Sequence, residues 1–315
     1  MRRFVVAGRH GVMTDEPQSR TEVISAGASG LVGLIGLGLV GRALAKRLRS
    51  AGFTTLGYDL DEAARQRFIG DGGSAVASIA QLGRQVEQVV LAVFDSQDVL
   101  ALLDDAQGLL AARKVRTIID CTTGDPHIAA NLAHRLAAQG VTMIEAPWSG
   151  SSEQIAAGQA TLLLAGDAQA IANSEALLQA LSAHRIVLGA TGMAARAKLA
   201  TNLVLGLNRA ALAEGFAFAE SLGISRAQFL ALVLSTPASS AAATIKGPMM
   251  VSGDFTPQSR IRQHLKDVDL MIEAAHSKGL ELPLSATHRR LLQRAVQEGD
   301  GDLDNAAIVR QWRDR

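Results

Sequence analysis

The stretch Leu31-Val32-Gly33-Leu34-Ile35-Gly36-Leu37-Gly38-Leu39-Val40-Gly41-Arg42-Ala43-Leu44 runs from a short apolar segment through a glycine-rich turn into residues whose Leu39, Ala43, Leu44 and Leu48 share one helical face. The order strand, turn, helix opens a βαβ unit. Gly36-Leu37-Gly38-Leu39-Val40-Gly41 has the form G-x-G-x-x-G. In that form the first glycine permits the tight turn, the second lets backbone approach a pyrophosphate, and the third lets the helix pack closely on the strand. The helix N-terminus then offers unpaired N–H groups and a partial positive charge to phosphates. Taken alone the motif is weak, because glycine-rich turns open many α/β folds, those of S-adenosylmethionine-dependent methyltransferases among them. Asp59 strengthens it, standing at the end of the next apolar run and 21 positions after Gly38. That is close to the roughly 20 at which an acid meets the adenosine ribose. A carboxylate there accepts hydrogen bonds from the ribose hydroxyls and repels a 2′-phosphate, so the sequence predicts NAD in preference to NADP.

The alternation continues outward from this motif. Apolar runs at Leu31–Ile35, Thr54–Tyr58, Val89–Val93, Thr117–Asp120, Thr142–Glu145, Thr161–Leu164 and Arg185–Val187 are separated by amphipathic stretches. They predict an open, mostly parallel sheet, the Rossmann-type doubly wound arrangement of the α/β class, over residues 31–192. Asp125 is placed to cap the helix that Pro126 begins, and Gly140 stands where that helix should stop. After Gly192 the strand signals fade. Met193–Leu222 carries apolar residues at helical spacing, and further helical stretches follow at Arg226–Leu234, Ser259–Lys278, Pro283–Glu298 and Ala306–Trp312. An all-helical domain over residues 193–315 is expected.

Residues 1–30 show no sustained period and read as a flexible N-terminal extension. Arg2-Arg3 before Phe4-Val5-Val6-Ala7 is similar to the start of a twin-arginine export signal, but the apolar run ends at Gly8, short of the roughly 7 to 15 residues such a signal needs. Met13 offers a second start. The 31 Lys and Arg against 30 Asp and Glu leave a formal charge of +1, so no excess of one sign favours nucleic acid or an anionic membrane. Small-molecule partners are expected instead. One cysteine, Cys121, excludes an internal disulfide and a Cys-rich zinc site, and fits a cytoplasmic protein. No apolar stretch has the length of a membrane span. The seven histidines are scattered without a ligand spacing, so no metal is assigned.

Several later segments come in a fixed order: Asp120-Cys121-Thr122-Thr123-Gly124-Asp125-Pro126, Ala146-Pro147-Trp148-Ser149-Gly150-Ser151, Gly189-Ala190-Thr191-Gly192 with Lys198 and Asn202, Gly247-Pro248-Met249-Met250, Lys266-Asp267, and Gly301 to Ile308. In this order the chain resembles the β-hydroxyacid dehydrogenases of the 3-hydroxyisobutyrate dehydrogenase type, which are related to 6-phosphogluconate dehydrogenase. The resemblance spans about Leu31 to Trp312. It implies a Rossmann-type domain and a helical domain with the active site in the cleft between them, and a homodimer or homotetramer. It implies Lys198 as the catalytic lysine, Asn202 as its partner and Ser149-Gly150-Ser151 as the loop for the substrate carboxylate. Thr123 and Lys266 are implied as cofactor contacts beside Gly36 to Gly41 and Asp59. The chain departs from the family pattern at Trp148, Ser151, Ala194, Thr201 and Ser259, around the substrate loop and the helical cover of the cleft. These changes put the substrate in question and leave the reaction class alone.

The residues carry the same chemistry by their spacing. Lys198 and Asn202 are four apart on one helical face, so both can address one hydroxyl or carbonyl oxygen. A lysine desolvated beside a positive nicotinamide ring is pushed toward neutrality. It can then accept the proton of an alcohol, and as ammonium it can protonate the developing alkoxide in reverse. Ser149-Gly150-Ser151, after a strand and Pro147, can present backbone N–H groups and hydroxyls to a carboxylate. The expectation is an NAD-dependent oxidoreductase of a small 3-hydroxy acid or its semialdehyde. Tartronate-semialdehyde, succinic-semialdehyde or glyoxylate reductase is the alternative within the family. An imine reductase or a non-catalytic cofactor-binding regulator ranks below these, because Lys198 and Asn202 are both present.

Overall fold

The computed structural model describes residues 30–312. The expectations for residues 1–29, the arginine pair and the second start among them, lie outside the described residues. Leu31–Ile35 forms β1, and Leu39–Ser50 forms α1. Between them Gly36 takes φ +87°, and a Cβ on Gly41 would lie 1.8 Å from the Gly36 carbonyl oxygen. A side chain at Gly41 would therefore drive the helix off the strand, which is the close packing expected of the third glycine. Leu44 and Leu48 of α1 are fully buried; burial of each stabilises the domain by about 1.5–3 kcal/mol.

The main sheet adds β2 (Thr54–Tyr58), β3 (Ser74–Ala75), β4 (Gln88–Leu91), β5 (Thr117–Asp120) and β6 (Thr142–Glu145). All six strands pair in parallel in the order β3-β2-β1-β4-β5-β6. The order reverses at β1 and β4, so the crevice for a ligand opens outside their carboxyl ends, where the glycine-rich turn lies. The connecting helices are α2 (Glu62–Gly70), α3 (Ile79–Gly83), α4 (Ser96–Asp104) and α5 (Pro126–Ala137). Asp125 caps α5 by accepting from the His127 and Ile128 N–H groups, and Gly140 takes φ +74° just beyond it.

Two expected strands do not join this sheet. Pro147 has no N–H to extend the β6 ladder. Beyond it β7 (Trp148–Ser149) pairs antiparallel with β8 (Thr161–Leu164), and β8 pairs in parallel with β9 (Arg185–Val187), a separate three-stranded sheet. Short helices α6 (Ser152–Ala156), α7 (Ala168–Asn173) and α8 (Glu175–Leu181) connect it. Helix α6, just after the Ser149-Gly150 turn, packs on α1.

The helical region begins with α9 (Met193–Ser221), 29 residues long. Its buried side carries Ala194, Ala195, Lys198, Leu199, Asn202, Gly206, Arg209, Leu212, Ala213 and Phe216, a stripe of helical period. Around it pack α10 (Arg226–Leu234), α11 (Ala241–Ser252), α12 (Ile261–His276) and α13 (Pro283–Gln297). Sequence reading assigned no element to α11, which continues through Pro248 because Ala242, Ala243, Lys246, Gly247 and Met250 bury its other face. Asn305–Trp312 is a 3₁₀ helix. Its start is tightened by the Asp304 carboxylate, which accepts from the Ala306 N–H at 3.0 Å, while the Asp304 carbonyl accepts from Ala307 at 2.8 Å. No helix among the described residues is long and apolar enough to cross a membrane.

Candidate active site

One cleft of about 790 Å³ runs from the glycine-rich turn to the helical region. Its lining includes Gly36, Gly38, Leu39, Val40 and Asp59 at one end, Thr123 and the Trp148–Ser152 turn midway, and Lys198, Asn202 and Arg209 of α9. Leu37 and Gly41 are buried behind the turn. The Gly38 Cα faces open space, so backbone there is free for a dinucleotide to approach. Asp59 is half-buried and already anchors the turn, with Oδ2 accepting from the Leu37 N–H at 2.7 Å and Oδ1 from the Asp61 N–H at 2.9 Å. Each oxygen keeps a lone pair for a ribose hydroxyl. A guanidinium lies beside it: Arg65 Nη1 donates to the carbonyls of Asp59 and Leu60. The set fits a nicotinamide dinucleotide in shape and donor chemistry.

Lys198 is buried, and its ammonium has no hydrogen bond or ion pair among the described residues. Burial pulls it from 10.5 down to about 8; Asp267 opposes this and Lys266 adds to it. Asn202, one turn on, donates from Nδ2 to Asp267 Oδ2 at 2.9 Å. Asp267 Oδ1 lies 3.1 Å from Lys266 Nζ. Lys266 in turn donates to the carbonyls of Phe94, at 3.1 Å, and Thr123, and its ammonium lies 5.6 Å from the centre of the Phe94 ring. An Asn202–Asp267–Lys266 chain thus ties the α9 face to two loops of the sheet domain, with the Asn202 carbonyl oxygen left for the cleft.

The Trp148–Ser152 turn is less open than its sequence suggests. Gly150 takes φ +147°, and Ser149 is half-buried on the cleft. Ser151 is buried, and it caps α6: its Oγ accepts from the Gln154 N–H at 3.3 Å while its own N–H donates to Gln154 Oε1 at 2.9 Å. Ser149 and Gly150 therefore carry the free donors of this turn, and Ser151 holds it in shape. Trp148 is buried in the core and also edges the cleft. Cys121 is buried, and desolvation pushes its thiol up. His127 and His134 are exposed on α5.

Sequence reading passed over Arg209 and Lys246. Arg209 is 2% exposed and lines the cleft; its signal was available, because eleven residues after Lys198 the helix returns to the same face. Lys246 of α11 lies 2.9 Å from the Asp304 carboxylate and donates to Gln258 Oε1 at 3.1 Å. Only the tertiary fold brings it there. His264 is buried with Nε2 unpartnered, 5.2 Å ring to ring from His288. A Cβ on Gly206 would meet His264 Nε2 at 2.4 Å, so the glycine lets α12 lie close to the α9 face.

A sequence model of the NAD binding domain of 6-phosphogluconate dehydrogenase matches residues 31–191, and one described as the NAD-binding domain of NADP-dependent 3-hydroxyisobutyrate dehydrogenase matches residues 192–312. L-threonate dehydrogenase of Cupriavidus necator is 32% identical over 89% of this chain and 95% of its own. 2-Hydroxy-3-oxopropionate reductase of Escherichia coli is 26% identical over 88% and 95%. The crystal structure of 3-hydroxyisobutyrate dehydrogenase from Salmonella typhimurium superposes with a TM-score of 0.81 at 26% identity, over 90% of this chain and 99% of that one. With a glycine-rich turn, a buried lysine on the long helix and matches that run from one end of the described fold to the other, the chain belongs to the β-hydroxyacid dehydrogenase family.

Proposed function

We propose that the protein moves a hydride between a nicotinamide dinucleotide, NAD in preference to NADP, and a small 3-hydroxy acid or the matching semialdehyde. The observation that carries this is Lys198: a buried, unpaired amine held near 8, one turn from Asn202 and in one cleft with the glycine-rich turn. The bound dinucleotide supplies the hydride acceptor or donor. Lys198 takes the proton of the substrate hydroxyl as that carbon is oxidised, and returns it when the carbonyl is reduced. Asn202, oriented by Asp267, fixes the same oxygen. Ser149 and the Gly150 backbone receive the substrate carboxylate, and Lys266 steadies the loops of Phe94 and Thr123 at the nicotinamide end. Burial of Lys198 excludes water from the transferred proton, which sharpens each of these contacts.

Asp59 supports NAD, since a 2′-phosphate would meet its carboxylate. Arg65, on the Asp59 and Leu60 carbonyls, supports NADP as the second reading, because a guanidinium beside the ribose accommodates a 2′-phosphate. Reduction of tartronate semialdehyde, succinic semialdehyde or glyoxylate uses the same machinery and is the alternative substrate assignment. We further propose a homo-oligomer, supported by exposed Phe218 and Leu222 at the end of α9 and Leu232 on α10, and a cytoplasmic location, supported by the single cysteine, Cys121. The deciding experiment is a turnover screen of hydroxy acids and semialdehydes with NAD and NADP. Absence of turnover with every carboxylate-bearing alcohol and aldehyde would remove the proposal.

A further inference from the structure

Arg209 and Asn305 line the cleft and hold buried polar atoms, without hydrogen-bond partners, that the chemistry above does not use. Arg209 is 2% exposed, and its Nε and Nη2 find no hydrogen-bond partner among the described residues. Asn305 also lines the cleft; its Oδ1 is buried and equally unpartnered, while its backbone N–H donates to the Ser259 carbonyl at 2.8 Å. Asp304 and Asp267 attract Arg209 at a distance, but neither pairs with it and each bonds to other groups. Lys246 is paired with Asp304, and Asp304 also accepts from the Gln258 and Ser259 N–H groups at 2.9 and 3.0 Å. Lys266 is paired with Asp267. A buried guanidinium stays protonated and is costly to leave without a directly bonded acid. Its geometry suits a carboxylate or phosphate, which it grips with two parallel N–H groups.

Helix geometry separates this group from the reacting carbon. Arg209 lies seven residues beyond Asn202 on the same buried face, about 10 Å along the axis. Ser259 and Gln258 make the neighbouring wall polar. The turn at Ser149 and Gly150 already offers donors for one carboxylate. We propose that Arg209 binds a second anionic group on the substrate, a carboxylate or a phosphate, so that the preferred substrate is a dianionic hydroxy acid, with Asn305 Oδ1 accepting from a substrate hydroxyl. The proposal rests on the hydroxy-acid reading above and narrows it.

The test compares three acids that share the 3-hydroxy acid end: 3-hydroxyglutarate, the 4-phosphate ester of 3,4-dihydroxybutanoate, and uncharged-ended 3-hydroxyvalerate. Each is assayed with the wild type, Arg209→Met and Arg209→Lys, and binding of each is measured by calorimetry. The wild type is expected to favour one dianion over 3-hydroxyvalerate by at least about tenfold in kcat/KM, mainly through KM. Which dianion wins distinguishes carboxylate from phosphate. Arg209→Met should bring that ratio toward one, Arg209→Lys should keep part of it, and the melting temperature of Arg209→Met should hold or rise, because methionine needs no partner. Equal or better use of 3-hydroxyvalerate by the wild type overturns the proposal. So does an unchanged ratio in Arg209→Met, or an equal loss for all three acids, which would make Arg209 a reader of the shared carboxylate. Should none of the three turn over, the hydroxy-acid reading is judged separately by the turnover screen above. Calorimetry then decides: dianion binding that Arg209→Met abolishes supports the anion site, and no binding to the wild type overturns it.

Discussion

Removing the Asp267 carboxylate should move the pH dependence of catalysis without abolishing it. Lys198 sits at about 8, because desolvation outweighs the attraction of Asp267. At pH 7 that makes the neutral amine about 300-fold more abundant than at the ordinary 10.5. Alcohol oxidation needs the neutral amine, so kcat/KM should rise with pH through about 8 and level off. Carbonyl reduction needs the ammonium, so it should fall above the same pH. In Asp267→Asn the charge that favours the ammonium is gone and the like charge of Lys266 is unbalanced, so both limbs should shift down by on the order of one pH unit. Asparagine can still accept from Asn202, which limits the loss of geometry. The assay is cofactor absorbance in both directions from pH 6 to 10, with an alcohol and an aldehyde that do not titrate in that range. Lys198→Met sets the baseline, with turnover lower by about 10²- to 10⁴-fold and no limb. A wild-type profile flat from pH 6.5 to 9.5, or an upward shift in Asp267→Asn, would refute the reasoning.

Other consequences are open to direct measurement. Asp59→Ser should narrow the preference for NAD over NADP, read as the ratio of the two kcat/KM values; a wild type faster with NADP assigns the ribose site to Arg65 instead. His288 is buried and held down at about 4, so the folded protein sheds a proton that the unfolded chain binds below about 6.5. Its stabilising contribution is present above that pH and is lost as pH falls toward 4, by about 2 kcal/mol between pH 7 and 5. His288→Gln should remove that part of the acid sensitivity in urea unfolding at the two pH values, and parallel losses in both proteins would contradict it. Glu145, raised to about 7 by burial, works in the opposite sense: its penalty is complete above pH 7 and fades as pH falls toward 4.5, so Glu145→Gln should stabilise most at neutral and alkaline pH. Phe218→Glu should shift sedimentation toward the monomer if the exposed end of α9 is an interface, and an unchanged boundary would place association elsewhere.

The sheet domain was legible because its elements carry local signals. Gly36, Gly41 and the buried stripe of α1 fix strand, turn and helix within about twenty residues, and Asp125-Pro126 marks the start of α5 by its own cap. What the sequence did not disclose was which sheet a strand would join. Thr161–Leu164 reads as apolar as Thr142–Glu145, but its partner is decided by Pro147, which breaks the ladder and turns the chain so that Trp148–Ser149 meets it antiparallel. The helix through Pro248 was hidden for a similar reason, since the proline is a local stop signal that burial of the opposite face overrides.

The site divides along the same line. Lys198 and Asn202 are neighbours by helical spacing alone, and the sequence suffices to pair them. Ser151 could not be separated from Ser149 in that way, because its capping of α6 depends on Gln154 folding back onto it. Lys246, Asp267 and Asp304 come from three segments that only the helical packing assembles. Arg209 falls between these cases. Its position on the face of Lys198 follows from 3.6 residues per turn, yet an arginine there reads as a solvated side chain until burial shows that water is gone and that the attracting acids, Asp304 and Asp267, are bonded to other groups. Chemistry that rests on spacing along one element is written locally. Chemistry that rests on charge balance appears only when every neighbour is placed, and Arg209 is where that balance is left open on the cleft.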